Sequence, residues 1–167
     1  MAARGLRKPS RVLQKKTHQL TPPVSKALAL KDKVMKTNQL STCFCTIDVD
    51  VCRDFYKKYF AAKPVFDCGW YVTLKIDQDG PEISFIQPQE GMSTFSGTGV
   101  MLNFKVDNVD SEHARLTNEG LDVSMPLKDH PWGDRGFSVI DPIGNSVYVY
   151  SDREPSGEFK QYHIGYK

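Results

Sequence analysis

The sequence predicts an α+β fold made of two copies of one unit, in which a strand and a helix are followed by three strands. The pattern of apolar residues changes from strand-like to helical and back to strand-like, and this succession occurs twice between residues 38 and 152. Asp50 and Asp110 stand at the same place in the two halves. Repetition at a fixed spacing indicates an internal duplication of βαβββ modules, at about residues 38–90 and 97–151.

The first half begins with a β-prone run, Leu40–Ile47. Asp48-Val49-Asp50 follows and supplies an aspartate for the N-cap of a helix. Lys63-Pro64 ends this helix, whose predicted apolar face consists of Val51, Cys52, Phe55, Tyr56, Tyr59 and Phe60. Three strand-like runs complete the half, with a turn before the last: Val65–Asp67, Trp70–Ile76 and Glu82–Gln87.

The second half repeats this order. Val100–Val106 is strand-like, and Asp107-Asn108-Val109-Asp110 repeats the cap. Ser111–Glu119 is a short helix that Gly120 closes. Three strands are predicted to follow, with a turn over residues 141–145 before the last: Asp122–Pro126, Phe137–Asp141 and Ser146–Ser151.

Charge divides the chain into a basic arm and an acidic domain. Residues 1–34 hold nine basic side chains and one acidic side chain, a net charge of +8, whereas the rest holds 13 basic and 19 acidic side chains, a net charge of −6. The arm lacks aromatic residues, so most of it is expected to be disordered, apart from one short helix after Pro23. We expect the folded domain at residues 35–154 and a C-terminal tail at residues 155–167.

Several interpretations of the arm remain open. It has the basic, acid-poor composition of a mitochondrial transit peptide, and it has the charge to bind nucleic acid or the acidic domain itself. Alternatively, it is an extension without a function, with Met35 as a natural start. Nucleic-acid binding, if present, is therefore expected through residues 1–34 only.

Composition excludes several classes of protein. No apolar run approaches the roughly 20 residues of a transmembrane helix, and no hydrophobic stretch of a secretory signal follows the N-terminal charges. The cysteines are too few for a disulfide scaffold and have no CxxC spacing for zinc. We therefore expect a cytoplasmic protein without a cofactor and with reduced, packed thiols at Cys43, Cys45, Cys52 and Cys68.

Two motifs carry a resemblance to a known superfamily that covers residues 38–152. Asp48–Tyr56 (DVDVCRDFY) resembles the D-x-D-x-S-x-x-F-Y start of the vicinal oxygen chelate superfamily, which contains glyoxalase I, bleomycin-resistance proteins and extradiol dioxygenases. Pro131–Phe137 (PWGDRGF) and Asp141–Asn145 (DPIGN) are similar to the ending found in the bleomycin-resistance-like branch. The resemblance implies that two curved sheets form a cup with the helices outside, usually completed in a homodimer.

The resemblance also implies where a metal would bind, because metal-dependent members place four His or Glu ligands on strands that line the cup. These positions fall here on Ser41, Met101, Ser84 (or Gln87) and Tyr148, and none is a histidine or a carboxylate. We expect the histidines elsewhere: His18 in the arm, His113 on a helix facing away, His130 in a loop and His163 in the tail. The sequence thus argues against a metal site and against glyoxalase or dioxygenase chemistry.

Strand alternation predicts the side chains that remain in the cup, because residues two apart share a face. Trp70 and Trp132 are candidates for flat walls, although each could instead pack in the core or at a dimer interface. Arg135 is a candidate for ligand contact, or for a structural ion pair with Asp134 or Asp141. The predicted ligand-binding residues are Ser41, Cys43, Trp70, Met101, Asn103, Trp132, Arg135, Tyr148 and Tyr150.

These features favour a metal-free protein that sequesters an aromatic or cationic small molecule in a pocket at a homodimer interface. The acidic domain suits a basic ligand through long-range attraction. An alternative is an enzyme of the same fold (a lyase, isomerase or dioxygenase) with displaced metal ligands. A second alternative is polyanion binding through the basic arm.

Overall fold

Each half of the domain folds as a strand, a helix and three further strands in the computed structural model, which describes residues 35–164. The first half consists of β1 (Thr42–Cys45), α1 (Val49–Phe60), β2 (Lys63–Asp67), β3 (Tyr71–Lys75) and β4 (Glu82–Ile86). The second half consists of β5 (Met101–Lys105), α2 (Val109–Asn118), β6 (Val123–His130), β7 (Asp134–Ile140) and β8 (Ser146–Asp152). A short helix, α3 (Gly157–Lys160), follows. The expectations for residues 1–34 lie outside the described residues.

The two halves form sheets of the same topology. The strand order is β1-β4-β3-β2 in the first sheet and β5-β8-β7-β6 in the second. In both sheets the first strand of the half runs parallel to its last strand, and the other pairs are antiparallel. The predicted α+β fold with duplicated βαβββ modules is therefore confirmed.

Alternation along the strands separates a core face from an open face. On β5, Met101, Asn103 and Lys105 are exposed, whereas Leu102 and Phe104, which alternate with them, are partly buried. The core contains the apolar residues on the helix-facing side of the strands together with one face of each helix. Burying one such aliphatic or aromatic side chain contributes about 1.5–3 kcal/mol, which explains why the register is kept.

Both helices start one residue before the repeated aspartates. Asp50 and Asp110 therefore lie in the first turns of α1 and α2, where a carboxylate is favourable. Asp48 occupies the N-cap of α1 but forms no side-chain cap, so the predicted aspartate cap is not made. Asn108 does cap α2, since its Oδ1 accepts the N–H of Ser111 at 3.1 Å.

The apolar face of α1 differs slightly from the prediction. Cys52 and Tyr56 are buried as expected, but Val51 is half exposed and Val49 is buried in its place. The expectation of packed thiols was also wrong in part, because Cys43 and Cys68 are exposed; all four cysteines are free.

Two strands of the second half are longer than predicted. β6 continues past Pro126 to His130, and β7 begins at Asp134 rather than at Phe137. The ladder between them is irregular near Met125 and Lys128. This pairing brings His130 opposite Asp134 in regular structure, where the sequence had predicted a loop.

A turn between two buried residues, Asp141 and Asn145, connects the two halves. The Asp141 carboxylate accepts hydrogen bonds from the Tyr56 hydroxyl of α1 (2.9 Å), from the Asn145 side-chain amide (2.8 Å) and from the backbone N–H groups of Ile143 and Asn145. Gly144, at φ +89°, lies so close to Gly97 that a Cβ would stand 3.1 Å from the Gly97 Cα. The DPIGN motif is therefore a structural junction.

Over residues 35–164, none of the helices has the length and apolar composition needed to cross a membrane.

Candidate ligand pocket

The open face of the second sheet forms a pocket of about 510 Å³. The described residues that line it all lie in the second half of the domain. Its lining combines two methionines, three aromatic side chains, an imidazole and a few polar groups: Met101, Asn103, Met125, Lys128, His130, Trp132, Asp134, Tyr148 and Tyr150. A concave, mostly apolar surface with a few convergent polar groups is typical of a small-molecule site.

Two parallel ring pairs line this pocket. The rings of Tyr148 and Tyr150 stack with centroids 5.5 Å apart and planes 8° apart. Trp132 stacks on the His130 imidazole, with centroids 4.4 Å apart and planes also 8° apart. These pairs provide flat surfaces of aromatic carbon.

A hydrogen-bonded cluster lies beside the rings. His130 Nδ1 is 2.8 Å from Asp134 Oδ1, and the Tyr148 hydroxyl donates to the same oxygen at 2.9 Å. All three residues are buried. Desolvation, followed by the hydrogen bond to Asp134, raises the pKa of Tyr148, so the phenol keeps its proton at neutral pH.

The absence of a side chain at Gly136 leaves space for the Tyr148 ring. Gly136 pairs with Tyr150 in the ladder between β7 and β8. A Cβ added at Gly136 would lie 2.5 Å from Cε2 of Tyr148, a distance that requires the ring to move. Glycine at this position therefore permits the packing of Tyr148.

The turn that presents Trp132 is held by the segment that follows β8. The Arg153 N–H donates to the Gly133 carbonyl (2.8 Å), and the Ser156 N–H donates to the Pro131 carbonyl (2.9 Å). His163 Nε2 lies 3.0 Å from the Trp132 carbonyl oxygen. The predicted tail thus contacts the pocket turn, which the sequence did not suggest.

The structure brings together five of the nine predicted site residues in this pocket: Met101, Asn103, Trp132, Tyr148 and Tyr150. Arg135 is not among the lining residues. Its guanidinium pairs with Asp110 (2.9 Å) and Asp129 (3.3 Å), so it forms an ion pair with partners other than those predicted. The pairing is solvent-exposed and contributes little to stability.

The other three predicted residues lie in the first half of the domain. Ser41 precedes β1 and is exposed, and Cys43 is exposed on β1. Trp70 is 46% exposed and packs beside Tyr71. None of them lines the pocket of the second sheet.

The residues at the four expected metal positions do not fit a divalent ion. Ser84 is buried and hydrogen-bonded to Thr73 (3.0 Å), and Tyr148 is a protonated phenol bound to Asp134. Ser41 and the Met101 thioether are exposed and supply no charge. Within residues 35–164, His, Cys, Asp and Glu side chains form no cluster of three or more that could hold a metal.

Sequence reasoning missed four lining residues: Met125, Lys128, His130 and Asp134. His130 was predicted in a loop, but it ends β6 and is 8% exposed. The signal was present, because Lys128 and His130 are two residues apart on one strand face. Interpreting Pro126 as the end of the strand concealed it.

Comparison with known proteins agrees with this architecture. A family model described as a glyoxalase-like domain matches residues 41–153. A crystal structure of a glyoxalase/bleomycin resistance protein/dioxygenase from Nocardioides superposes with a TM-score of 0.66 and 17% identity, covering 78% of this chain and 94% of that one. A lactoylglutathione lyase from Agrobacterium tumefaciens gives a TM-score of 0.56 and 21% identity, covering 70% and 95%.

Two relatives match this chain in sequence over a shorter region. Uncharacterised proteins of Mycobacterium bovis and Mycobacterium tuberculosis are 33% identical to this chain over 73 residues, which is 44% of this chain. The match spans 47% and 42% of their lengths, respectively, so less than half of each relative is covered. The match of the family model over residues 41–153, which is more than half of the chain, shows that the chain belongs to the glyoxalase-like domain family.

Proposed function

We propose that this protein binds a planar aromatic small molecule, without a metal, in the pocket of its second sheet. The observation that carries the proposal is the pair of stacked ring surfaces, Trp132 on His130 and Tyr148 on Tyr150. Offset stacking or edge contact with such rings is favourable by about 0.5–1.5 kcal/mol beyond the area buried. Met101 and Met125 add soft apolar surface that adapts to the outline of a ligand.

The charges in the pocket support an aromatic ligand more than a cationic one. Among the described residues that line the pocket, Asp134 is the one carboxylate, and His130 and Tyr148 already engage it. Lys128 contributes a positive charge to the same lining. A cation would gain from the ring faces but would be repelled by this ammonium group.

We propose further that a second copy of the chain covers the open faces. Large apolar side chains are exposed on the first half, including Val65 at 54% and Phe66 at 50%, and Met101 in the pocket lining is 57% exposed. Exposed apolar surface of this kind is typical of interaction sites. Sedimentation at micromolar concentration should give the mass of a dimer, and a monomer at all concentrations would contradict this part of the proposal.

The fluorescence of Trp132 provides a direct test of ligand binding. The chain contains two tryptophans, so Trp70→Phe leaves Trp132 as a fluorescent probe in the pocket. Titration with 2-naphthol should quench that fluorescence to saturation. In thermal unfolding, a ligand at 100 times its Kd should stabilise the protein by about 2.7 kcal/mol.

Matched variants locate the binding. Trp132→Ala should remove most of the stabilisation, whereas Trp70→Ala, which also deletes a half-exposed indole, should leave it unchanged. Equal loss in both variants, or no saturable binding across a panel of aromatic compounds, would refute the proposal. Metal analysis completes the test, since one divalent ion per chain would instead favour the enzyme alternative.

A further inference from the structure

One ring nitrogen in the pocket has no hydrogen-bond partner among residues 35–164. His130 Nδ1 is engaged by Asp134 and Tyr148, but among residues 35–164 no hydrogen bond reaches Nε2. Within the same described part of the chain, Asn145 Oδ1 is the one buried side-chain N or O atom that lacks a partner. Nε2 therefore retains access to open space, and the pocket is the space that His130 lines.

The hydrogen bonds around Nδ1 determine which nitrogen carries the proton. Nδ1 and Asp134 Oδ1 are 2.8 Å apart, a distance that requires a proton between them. The carboxylate has none to give, and the single Tyr148 hydroxyl proton is already donated to the same oxygen. Nδ1 therefore carries the hydrogen and donates it to Asp134. In the neutral ring, Nε2 is left with an unprotonated lone pair.

The imidazole is also held in orientation. Trp132 stacks on one face of the ring at a centroid distance of 4.4 Å, and the hydrogen bond to Asp134 prevents the imidazole ring from rotating. Other titratable groups in this pocket are Lys128, Tyr148 and Tyr150. None of these hydrogen-bonds to Nε2 within the described residues, so the lone pair is available to a ligand.

We infer that His130 Nε2 is the hydrogen-bond acceptor that selects the ligand, which is then an aromatic molecule with an O–H or N–H donor at its edge. Asp134 acts as a positioning residue, because its Oδ1 fixes the tautomer of His130 and does not itself contact the ligand. This inference rests on the proposed function, and it narrows the ligand class from any planar aromatic to hydroxylated or N–H-bearing ones.

A pair of probes that differ by one methyl group tests the selection. 2-Naphthol can donate a hydrogen bond to Nε2, whereas 2-methoxynaphthalene cannot. In the Trp70→Phe protein, 2-naphthol should bind about 3- to 10-fold more tightly, the effect of one net hydrogen bond. If neither these two compounds nor any other member of the aromatic panel binds, the proposed function fails and the inference with it. If both bind equally, the function stands and the inference is overturned.

Two further measurements separate a binding role from a structural one. The ¹⁵N shifts of the His130 ring should show the proton on Nδ1, and a proton on Nε2 would overturn the inference even if the pocket binds aromatics. Asp134→Asn can donate its amide to Nδ1 and so transfer the ring proton to Nε2, which should abolish the preference for 2-naphthol. His130→Phe keeps a ring for stacking but has no acceptor, and should bind the two probes equally.

Discussion

Gly136 shows how one residue determines whether the tyrosine wall of the pocket can form. Any side chain at this position overlaps the Tyr148 ring, since a Cβ would lie 2.5 Å from Cε2. Gly136→Ala should therefore force the ring aside and lower the free energy of unfolding by about 1–3 kcal/mol, the usual cost of overpacking. It should also weaken 2-naphthol binding. Urea denaturation and the fluorescence titration measure the two effects.

Gly157→Ala is the matched control for this prediction. A Cβ at Gly157 meets nothing within 4 Å, so the same chemical change lacks the steric conflict. Its unfolding free energy should remain within about 0.5 kcal/mol of the parent, as for most surface substitutions. Similar losses in both variants would show that the Tyr148 contact is not what makes Gly136 necessary.

At the residue scale, the sequence predicted those pocket residues that depend on local periodicity. Met101, Asn103, Tyr148 and Tyr150 follow from alternation along two strands, which requires no knowledge of tertiary contacts. Arg135 was different, because its partners Asp110 and Asp129 are chosen by where a helix and a neighbouring strand come together. Long-range pairing of this kind has no signature in residue spacing.

At the scale of elements, the Trp132 turn depends on the segment after β8. Gly133 has φ +107°, and a Cβ there would lie 3.1 Å from the Arg153 carbonyl oxygen and 3.1 Å from Pro155 Cβ. Gly133→Ala should destabilise the fold by about 1–2 kcal/mol and displace the turn, because the conformation is strained for alanine and the space is occupied. Ligand titration of this variant should show weaker binding.

Gly120→Ala separates backbone strain from displacement of the turn. Gly120 also has a positive φ, +84°, but a Cβ there meets nothing within 4 Å. Its substitution should cost about 1 kcal/mol of stability and leave 2-naphthol affinity unchanged. Loss of affinity in Gly120→Ala equal to that in Gly133→Ala would contradict the role assigned to the turn.

β6 is the element that sequence reasoning described least well. Pro126 was interpreted as its end, yet β6 is an edge strand, where a residue without an N–H is tolerated. The irregular pairing near Met125 and Lys128 also breaks the simple alternation. Strand order decides whether a proline lies at an edge, and that order is a tertiary property, so His130 and Asp134 were missed.

At the scale of the whole molecule, the two halves share a buried polar junction that predicts sensitivity to alkaline pH. Burial, together with the nearby carboxylates of Asp141, Asp48 and Asp50, raises the pKa of Cys52 from its ordinary 9.0 to about 12. Burial and Asp141 also raise the pKa of Tyr56. Groups with a raised pKa retain protons in the folded state that the unfolded chain releases. Stability should therefore be full below about pH 9 and fall as pH rises further.

Cys52→Ala tests the contribution of the thiol. Removing one such group should reduce the dependence of the unfolding free energy on pH by up to about 1.4 kcal/mol per pH unit between pH 9 and 10.5. Urea denaturation at intervals over this range gives the slopes, which are independent of any constant loss from the substitution itself. Parallel slopes for parent and variant would show that Cys52 does not hold its proton in the folded state.

The overall architecture could be predicted best from the sequence. Because the domain is duplicated, the order of elements predicted for one half supports the same order in the other half. α1 and α2 begin at equivalent positions, and both sheets have the same strand order. The resemblance to the superfamily added the expectation of a cup. The sequence could not predict that the two sheets would differ in their open faces. On the first sheet the hydroxyls of Thr73 and Ser84 form a hydrogen bond with each other, whereas the second sheet carries the aromatic pocket.

The junction at Asp141 has a consequence for how relatives of this protein should be compared. Its carboxylate is committed to Tyr56 and to the turn around Asn145, so the DPIGN signature marks how two halves are joined. We therefore expect a sequence search with that signature to find proteins that share this junction between the two halves, regardless of the ligand that each protein binds. Sorting those proteins by specificity requires the residues aligned with His130, Trp132 and Tyr148, which can diverge without disturbing the joint.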